Sequence, residues 1–485
     1  MASAPCAIRC RRACRPSSVK AHAVGLGWIL VALAAANVVP APAAAEKVRP
    51  NVVVIVTDDQ RVDSMPVLET ALSAFASSGT TFAGFVSNSL CCPSRATILT
   101  GQYSHSTGVY RNEPPDGGWV AFRPHETSTV ATWLHDAGYR TGLIGKYLNN
   151  YDVAPADYVP AGWDAWWAFH GPNGAYLGYD VTTNDGGTPH LVTYGTARSD
   201  YSTDVIARED VEFIRSTPAD QPLFLYTAPY APHAPATAAA RDVGSHSSDV
   251  IAHSPSFNES DVSDKPAYIR SLPPLSPTRI ANLDARARSQ RESLESVDDL
   301  VADVLEALGA RVQNTLFIFT SDNSTANGEH RWNYKLTPYS EAIEVPFYVR
   351  YDAGGFAKGG VAPGIAANVD IAPTIADFAG VTPATAVDGV SLRRALAGRT
   401  ARSGLLLEHA YPSRVPAGPD PPSYCGYRSA TRLYVRYSTG EEEFYNLARD
   451  PFELRNVAAT APKTTTYRDK ARALCRPLPP GMTAF

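Results

Sequence analysis

Asn51-Val52-Val53-Val54-Ile55-Val56-Thr57 is a continuous run dominated by β-branched apolar residues. A strand with one wet face alternates apolar and polar residues, so an unbroken run requires cover on both faces. That places the segment inside a mainly parallel sheet with helices on either side. The same texture returns at Tyr139–Lys146, Pro222–Thr227 and Thr315–Ser321. Between these runs the sequence predicts three helices. One spans Thr129–Ala137 before Gly138, one opens at Ser202 and runs through Ile214, and an amphipathic one spans Ser289–Leu308 before Gly309. Strands alternating with helices predict an open α/β fold.

The polar residues that follow the strands are the first functional signal. Asp58 and Asp59 follow the first run, Lys146 ends the second, His233 comes just after the third, and Asp322 and Asn323 follow the fourth. Ligands of open α/β sheets bind outside the carboxyl ends of the strands. These six residues, far apart in sequence, are therefore expected to converge.

The two ends of the chain have a different texture. Arg9, Arg11, Arg12, Arg15 and Lys20 precede an apolar stretch from Val24 to Val39, and small residues up to Ala45 precede Glu46. This pattern predicts a secretory signal over residues 1–45, with an uncleaved membrane anchor as the alternative. No other stretch is apolar enough to span a bilayer, so no stable membrane span is expected after cleavage. Cleavage would remove five basic and no acidic residues, taking the formal net charge from −5 to −10. An acidic chain that is 44% hydrophobic excludes a disordered protein and a nucleic-acid-binding tail, so no nucleic-acid partner is expected. An anionic substrate would have to be drawn in by local charge. Residues 236–288 read as a long surface excursion and residues 411–423 as a Pro-rich loop. After about residue 400, Leu405–Leu407, Leu433–Tyr437 and Glu443–Tyr445 read as short antiparallel strands of a smaller α+β subdomain. The expected organisation is a signal at 1–45, a catalytic domain at 46–400 and a subdomain at 401–485.

The sharpest motif is Leu90-Cys91-Cys92-Pro93-Ser94-Arg95-Ala96-Thr97-Ile98-Leu99-Thr100-Gly101. Pro93 suits the first turn of a helix and Gly101 its end, which sets Cys91 at a helix N-terminus with Arg95 one turn on. Cys91-x-Pro93-x-Arg95 resembles the signature of the type I, formylglycine-dependent sulfatases. Further matches run along the chain: Gly145-Lys146-Tyr147-Leu148-Asn149, Ala231-Pro232-His233, Ser296–Leu300, Thr320-Ser321-Asp322-Asn323, Gly328–Arg331, Asn368–Thr374 and Glu443–Pro451. The forms around Lys146 and Cys91 are similar to glucosamine-6-sulfatases. Those around Glu329 and Lys335 are similar to arylsulfatases.

The resemblance implies an alkaline-phosphatase-like architecture and hydrolysis of sulfate esters, aryl or 6-O-sulfated glucosamine. It implies conversion of Cys91 to Cα-formylglycine by a formylglycine-generating enzyme. Asp58, Asp59, Asp322 and Asn323 are then ligands of a divalent cation, with the residue made from Cys91 as a further ligand. Hard oxygen donors suit Ca²⁺, with Mg²⁺ as the alternative. Arg95, Lys146, His233 and Lys335 are implied to orient the nucleophile and hold sulfate oxygens, with Lys335 or His233 near the leaving oxygen. A secreted or periplasmic location and a sulfated small molecule or glycan as partner follow. Two other readings stay open: a phosphodiesterase or phosphonate monoester hydrolase using the same aldehyde, and a sulfated-glycan-binding protein without catalysis.

The sequence departs from the family pattern at two places. Ser324 stands where a glycine often follows Asp-Asn, which questions the loop there. Leu148 stands where many sulfatases have a histidine, leaving Asn149 as a candidate replacement. Asn323-Ser324-Thr325 fits a glycosylation acceptor but is rejected because a buried ligand could not be modified. Trp163, Trp166, Trp167, Phe169, Tyr176 and Tyr179 are either a platform for sugar or aryl rings or a packed loop. Cys425 and Cys475 either pair or stay free, and Cys92 has no assigned role.

Overall fold

Both faces of β1 (Asn51–Thr57) are buried, as its composition requires, and its odd and even residues pack into two different cores. The computed structural model describes residues 49–171, 174–184, 187–356, 358–412 and 420–485. The signal expected at 1–45 and the centre of the Pro-rich loop lie outside the described residues.

Eleven strands form one mixed sheet around β1. In chain order they are β1, β2 (Thr80–Phe85), β3 (Arg140–Gly145), β4 (Ala165–Phe169), β5 (Tyr179–Thr183), β6 (His190–Tyr194), β7 (Leu223–Ala228) and β8 (Thr315–Ser321). A separate two-stranded hairpin follows, β9 (Ala326–Asn327) with β10 (Asn333–Tyr334), before β11 (Glu344–Val345), β12 (Phe347–Arg350) and β13 (Gly360–Ala367) complete the large sheet. The central order β8-β1-β7-β3-β4 is parallel throughout, while β12 beside β8 and β5 beside β4 run antiparallel. The fold is thus α/β with a large mixed sheet, parallel where the sequence signal is strongest.

Val52, Val54 and Val56 pack against helices Cys91–Thr100, Val130–Asp136 and Ile371–Ala379. Val53 and Ile55 face helices Ser202–Ser216 and Pro277–Leu308. The last helix begins twelve residues before the Ser289 expected from sequence, with the Ser276 side chain accepting from the Arg279 amide. Its first three turns are mostly exposed and carry no apolar stripe, which is why periodicity missed them. The excursion expected over 236–288 accordingly ends at 276. Among the described residues no helix is long and apolar enough to cross a membrane.

Beyond residue 400, β14 (Leu405–His409), β15 (Tyr424–Ser429), β16 (Arg432–Tyr437) and β17 (Glu442–Tyr445) form a four-stranded antiparallel sheet. β15 was not foreseen. It needs Gly426, where a Cβ would lie 2.7 Å from the Tyr434 carbonyl oxygen, and glycine is a poor strand signal. Cys425 of β15 and Cys475, after helix Thr464–Leu474, form a disulfide with Cα atoms 6.3 Å apart.

One buried acid in this scaffold has a consequence for stability. Asp210 of helix Ser202–Ser216 is fully buried, and neither carboxyl oxygen has a hydrogen-bond partner among the described residues. Burial raises its pKa well above the carboxylate range, and neighbouring Glu209 adds to the rise. The fold favours the protonated form. Its contribution is full below the unfolded carboxyl pKa and is lost as pH rises through the folded value. Thermal melts should show the unmodified protein losing stability toward alkaline pH relative to Asp210→Asn, by about 1–3 kcal/mol. Parallel pH curves for the two proteins would remove Asp210 as the cause.

Candidate active site

The parallel strands deliver their polar termini to one point. β1 and β8 are in register from Asn51 with Thr315 to Thr57 with Ser321, so Asp58-Asp59 and Asp322-Asn323 leave the sheet side by side. β3 pairs with β7 through Gly145 and Ala228, which sets Lys146 next to the turn bearing His233. Gly145 is required there, because it has φ +117° and a Cβ would lie 2.1 Å from the Ala228 carbonyl oxygen. Lys335 follows directly on β10 of the β9–β10 hairpin. Helix Cys91–Thr100 starts at Cys91 itself and ends at left-handed Gly101, whose amide donates to Thr97 O at 2.8 Å.

The side chains interlock around Cys91. Lys335 Nζ donates to Cys91 Sγ at 2.8 Å, and the Cys91 thiol lies 3.8 Å from Asp58 Oδ1. Lys146 pairs with Asp58 and Lys335 with Asp59. Arg95 Nε donates to Asp322 Oδ2 at 2.8 Å, its Nη1 to the Lys146 carbonyl at 2.9 Å, and its Nη2 lies 3.7 Å from Asp58. Asn323 Nδ2 donates to Asp59 Oδ1 at 2.6 Å. His233 donates from Nδ1 to the Ala234 carbonyl at 2.7 Å, which turns Nε2 toward Asp59 Oδ2, 3.7 Å away. All nine residues named from sequence meet here, and His233 alone is partly exposed.

Asp59 has φ +67°, a conformation that costs a non-glycine residue on the order of 1 kcal/mol. Its amide donates to Asp322 Oδ1 at 3.2 Å, so the strained turn is tied to the β8 terminus. Asp322 therefore uses Oδ1 to hold the neighbouring backbone and Oδ2 to hold Arg95.

Burial sets the electrostatics. It raises the Asp58 and Asp59 pKa values, but Lys146 and Lys335 respectively, with His233, more than reverse this and hold both below the ordinary range. Burial would lower both lysines, yet Asp58 and Asp59 hold them well above normal. Burial pushes the Cys91 thiol up to about 11 against the pull of the lysines, and Cys92 up to about 12. Burial lowers the His233 pKa despite Asp58 and Asp59.

Several open points from the sequence resolve in the geometry. Ser324 has no left-handed backbone, and the positive φ falls on Asp59 instead. Asn149 sits at Cys92, its amide donating to Cys92 Sγ at 3.1 Å, with its Oδ1 3.4 Å from that sulfur. Asn112 Oδ1 accepts the Cys92 amide at 2.9 Å. Cys92 is thus an anchor for the segment after Lys146. The aromatic cluster from Trp163 to Tyr179 is buried packing, so the platform reading falls. Tyr176 instead donates to the His233 carbonyl at 2.7 Å. Two rings escaped the sequence reading: Tyr230 lies 5.6 Å from Lys146 Nζ and Tyr334 lies 5.7 Å from Lys335 Nζ. Tyr334 adjoins a motif lysine, but nothing else in the sequence marks either.

The strand-end carboxylates could hold a metal ion. Asp58, Asp59, Cys91 and His233 each place a ligand atom within 4.8 Å of the others. Asn323 Oδ1, buried beside them, has no hydrogen-bond partner among the described residues. An orphaned amide oxygen among carboxylates is what an oxygen-preferring cation would satisfy. Beside Asp59 a cavity of about 170 Å³ opens, bounded by Arg61, Pro232, His253, Phe257 and Asn327.

The chain is similar to several known proteins. A family model described as Sulfatase matches residues 50–381, and one described as N-sulphoglucosamine sulphohydrolase, C-terminal, matches 328–475. Human N-acetylglucosamine-6-sulfatase is 31% identical over 457 residues, covering 85% of this chain and 81% of the human protein. An arylsulfatase of Volvox carteri is 32% identical over 391 residues, covering 73% of this chain and 59% of the algal one. Among solved structures, BT4656 in complex with its substrate D-glucosamine-2-N,6-O-disulfate superposes with a TM-score of 0.71 at 23% identity, covering 88% and 96% of the two chains.

Proposed function

The chain belongs to the sulfatase family and hydrolyses sulfate esters, and we propose that it does so through a formylglycine made from Cys91. The observation that carries this is Cys91 at a helix start, where the β1, β3 and β8 termini meet and Lys335 reaches its sulfur at 2.8 Å. A formylglycine-generating enzyme would supply the aldehyde. We further propose a cleaved signal at 1–45 and secretion, a catalytic domain at 46–400 and a subdomain at 401–485.

In this reading the aldehyde is hydrated and one of its two hydroxyls attacks sulfur. The bond from sulfur to the alcohol oxygen breaks, and Lys335 or His233 gives that oxygen its proton. The second hydroxyl then loses its proton, its electrons form the carbonyl, and the carbon–oxygen bond to sulfate breaks. Lys146 and Lys335 hold sulfonyl oxygens as negative charge develops, and Arg95 fixes Asp58 and Asp322. Asp58, Asp59, Asp322 and Asn323 would hold a Ca²⁺, or Mg²⁺, which lowers the pKa of the hydrate and holds a sulfate oxygen.

The relatives point the substrate toward a 6-O-sulfated glucosamine or an aryl sulfate. Sulfate release from both classes, beside an aryl phosphate diester, tests this. Turnover of the sulfate esters at the higher kcat/KM is expected. A large preference for the phosphate diester would instead make the protein a phosphohydrolase built on the same scaffold.

A further inference from the structure

A second cluster of ligating side chains uses none of the residues around Cys91. His330 lies in the turn between β9 and β10, Glu341 on helix Ser340–Ile343 and Glu453 in the loop after β17. Each places a ligand atom within 4.8 Å of the others. The cluster therefore joins the hairpin that leads to Lys335 with the loop that follows the four-stranded sheet.

The unused atoms point to a ligand. His330 is fully buried, and its two nitrogens differ. Nδ1 meets Glu259 Oε2 at 2.6 Å, whereas Nε2 has no hydrogen-bond partner among the described residues. A carboxylate on Nδ1 keeps the proton there and leaves the Nε2 lone pair free, the usual support of a metal-bound imidazole. Glu341 repeats the pattern. Its Oε1 accepts from Ser256 Oγ at 2.9 Å, while its Oε2 is closed off from solvent without a partner among the described residues. Glu453 is fixed by Ser340, whose amide donates to Oε2 at 3.1 Å and whose hydroxyl donates to Oε1 at 2.9 Å. Each of these oxygens keeps a second lone pair.

The cluster is also short of positive charge. Lys265 lies 3.3 Å from Glu259 and Arg428 lies 3.7 Å from Glu453, while Glu341 has no ion-pair partner among the described residues. Three carboxylates thus face two cations, and Lys265 also serves Asp264 at 2.9 Å. Glu329, beside His330, is taken by Arg61 at 3.0 Å. Burial, then Glu341, pushes the Glu453 carboxyl up to about 7. A proton shared by the glutamates, or a divalent ion, supplies the missing charge.

We propose that His330 Nε2, Glu341 and Glu453 form a second metal site, for Zn²⁺, separate from the cation at Asp58 and Asp59. One imidazole and two carboxylates suit Zn²⁺, whereas Ca²⁺ takes six to eight oxygens. With no exposed ligand atom at His330 or Glu453, the site is structural: it clips the Lys335 hairpin to the loop after β17.

The test is Zn²⁺ retention by the full chain after dialysis. Asp59→Asn protein, with its active-site cage impaired, should still hold one Zn²⁺. Glu341→Gln and Glu453→Gln, which keep the size of each side chain, should lose it. Glu259→Gln, one bond away from the ion, should weaken Zn²⁺ binding by about 10- to 100-fold. Anomalous scattering at the Zn edge locates the ion in crystals of the unmodified protein, so the answer does not depend on any variant folding. A peak between His330, Glu341 and Glu453 is expected. A peak only among Asp58, Asp59 and His233, Zn²⁺ content unchanged in both glutamine variants, or no retained Zn²⁺ would overturn the site and leave a shared proton as the positive charge there.

Discussion

Cys91→Ala should abolish sulfate release, a fall on the order of 10⁴-fold or more in kcat, whereas Cys92→Ala should keep turnover within about tenfold. The two cysteines are adjacent and both buried, yet their surroundings differ in kind. Cys91 is in contact with Lys335 and faces Asp58. Cys92 turns to the Asn149 amide and packs in the core with Val56, Ala96 and Leu148. Removing Cys92 loosens the segment after Lys146 and should appear first as a lower melting temperature. Removing Cys91 deletes the sulfur whose loss turns the β-carbon into the proposed aldehyde, so the nucleophile cannot be made. With its thiol held near 11, an unmodified Cys91 is protonated at neutral pH and is not a thiolate. Protein from its own host should therefore carry an aldehyde in the Cys91 peptide, captured by a hydrazine reagent. Equal loss in the two alanine variants, or a Cys91 peptide found only as the thiol in active protein, would move the nucleophile elsewhere.

The site was more legible in the sequence than the fold around it. Asp58, Lys146 and Asp322 are each the first residue beyond an apolar strand, and in a parallel sheet such positions meet whatever the intervening loops do. Their convergence follows from strand direction, which the β-branched runs declare. The antiparallel flanks were less legible because their signals are local and weak. β11 has two residues, β15 contains Gly426, and β6 is largely exposed. The start of helix Pro277–Leu308 was missed for a related reason. Its first turns read as a surface loop because they bury little. Of the two readings of the aromatic segment, packed loop and ring platform, the burial of its rings leaves the packed one. Trp166 and Trp167 fall on opposite faces of β4, and both are buried.

Removing divalent cations should stop turnover, and it should also weaken sulfate binding to the intact protein. The cage explains the second effect. Asp58, Asp59 and Asp322 contribute three formal negative charges, and Arg95, Lys146 and Lys335 contribute three positive ones, all buried. The set is already balanced, so a cation entering alone leaves two buried charges uncompensated, and a sulfate entering alone does the same with the opposite sign. Together they restore neutrality, and Asn323 Oδ1 gains the partner it lacks. Ca²⁺ and sulfate should therefore bind cooperatively, each raising the affinity of the other by the same factor, about 5- to 150-fold. Thermal shift on chelator-treated protein measures this without activity. Ca²⁺ with sulfate should raise the melting temperature by more than the two separate shifts combined, and Asp59→Asn should remove most of the excess. Repeating the series with Mg²⁺ tests which hard cation the site prefers. Additive shifts would mean that the cation is held independently of the anion and that the lysine–aspartate pairs do not open to admit it.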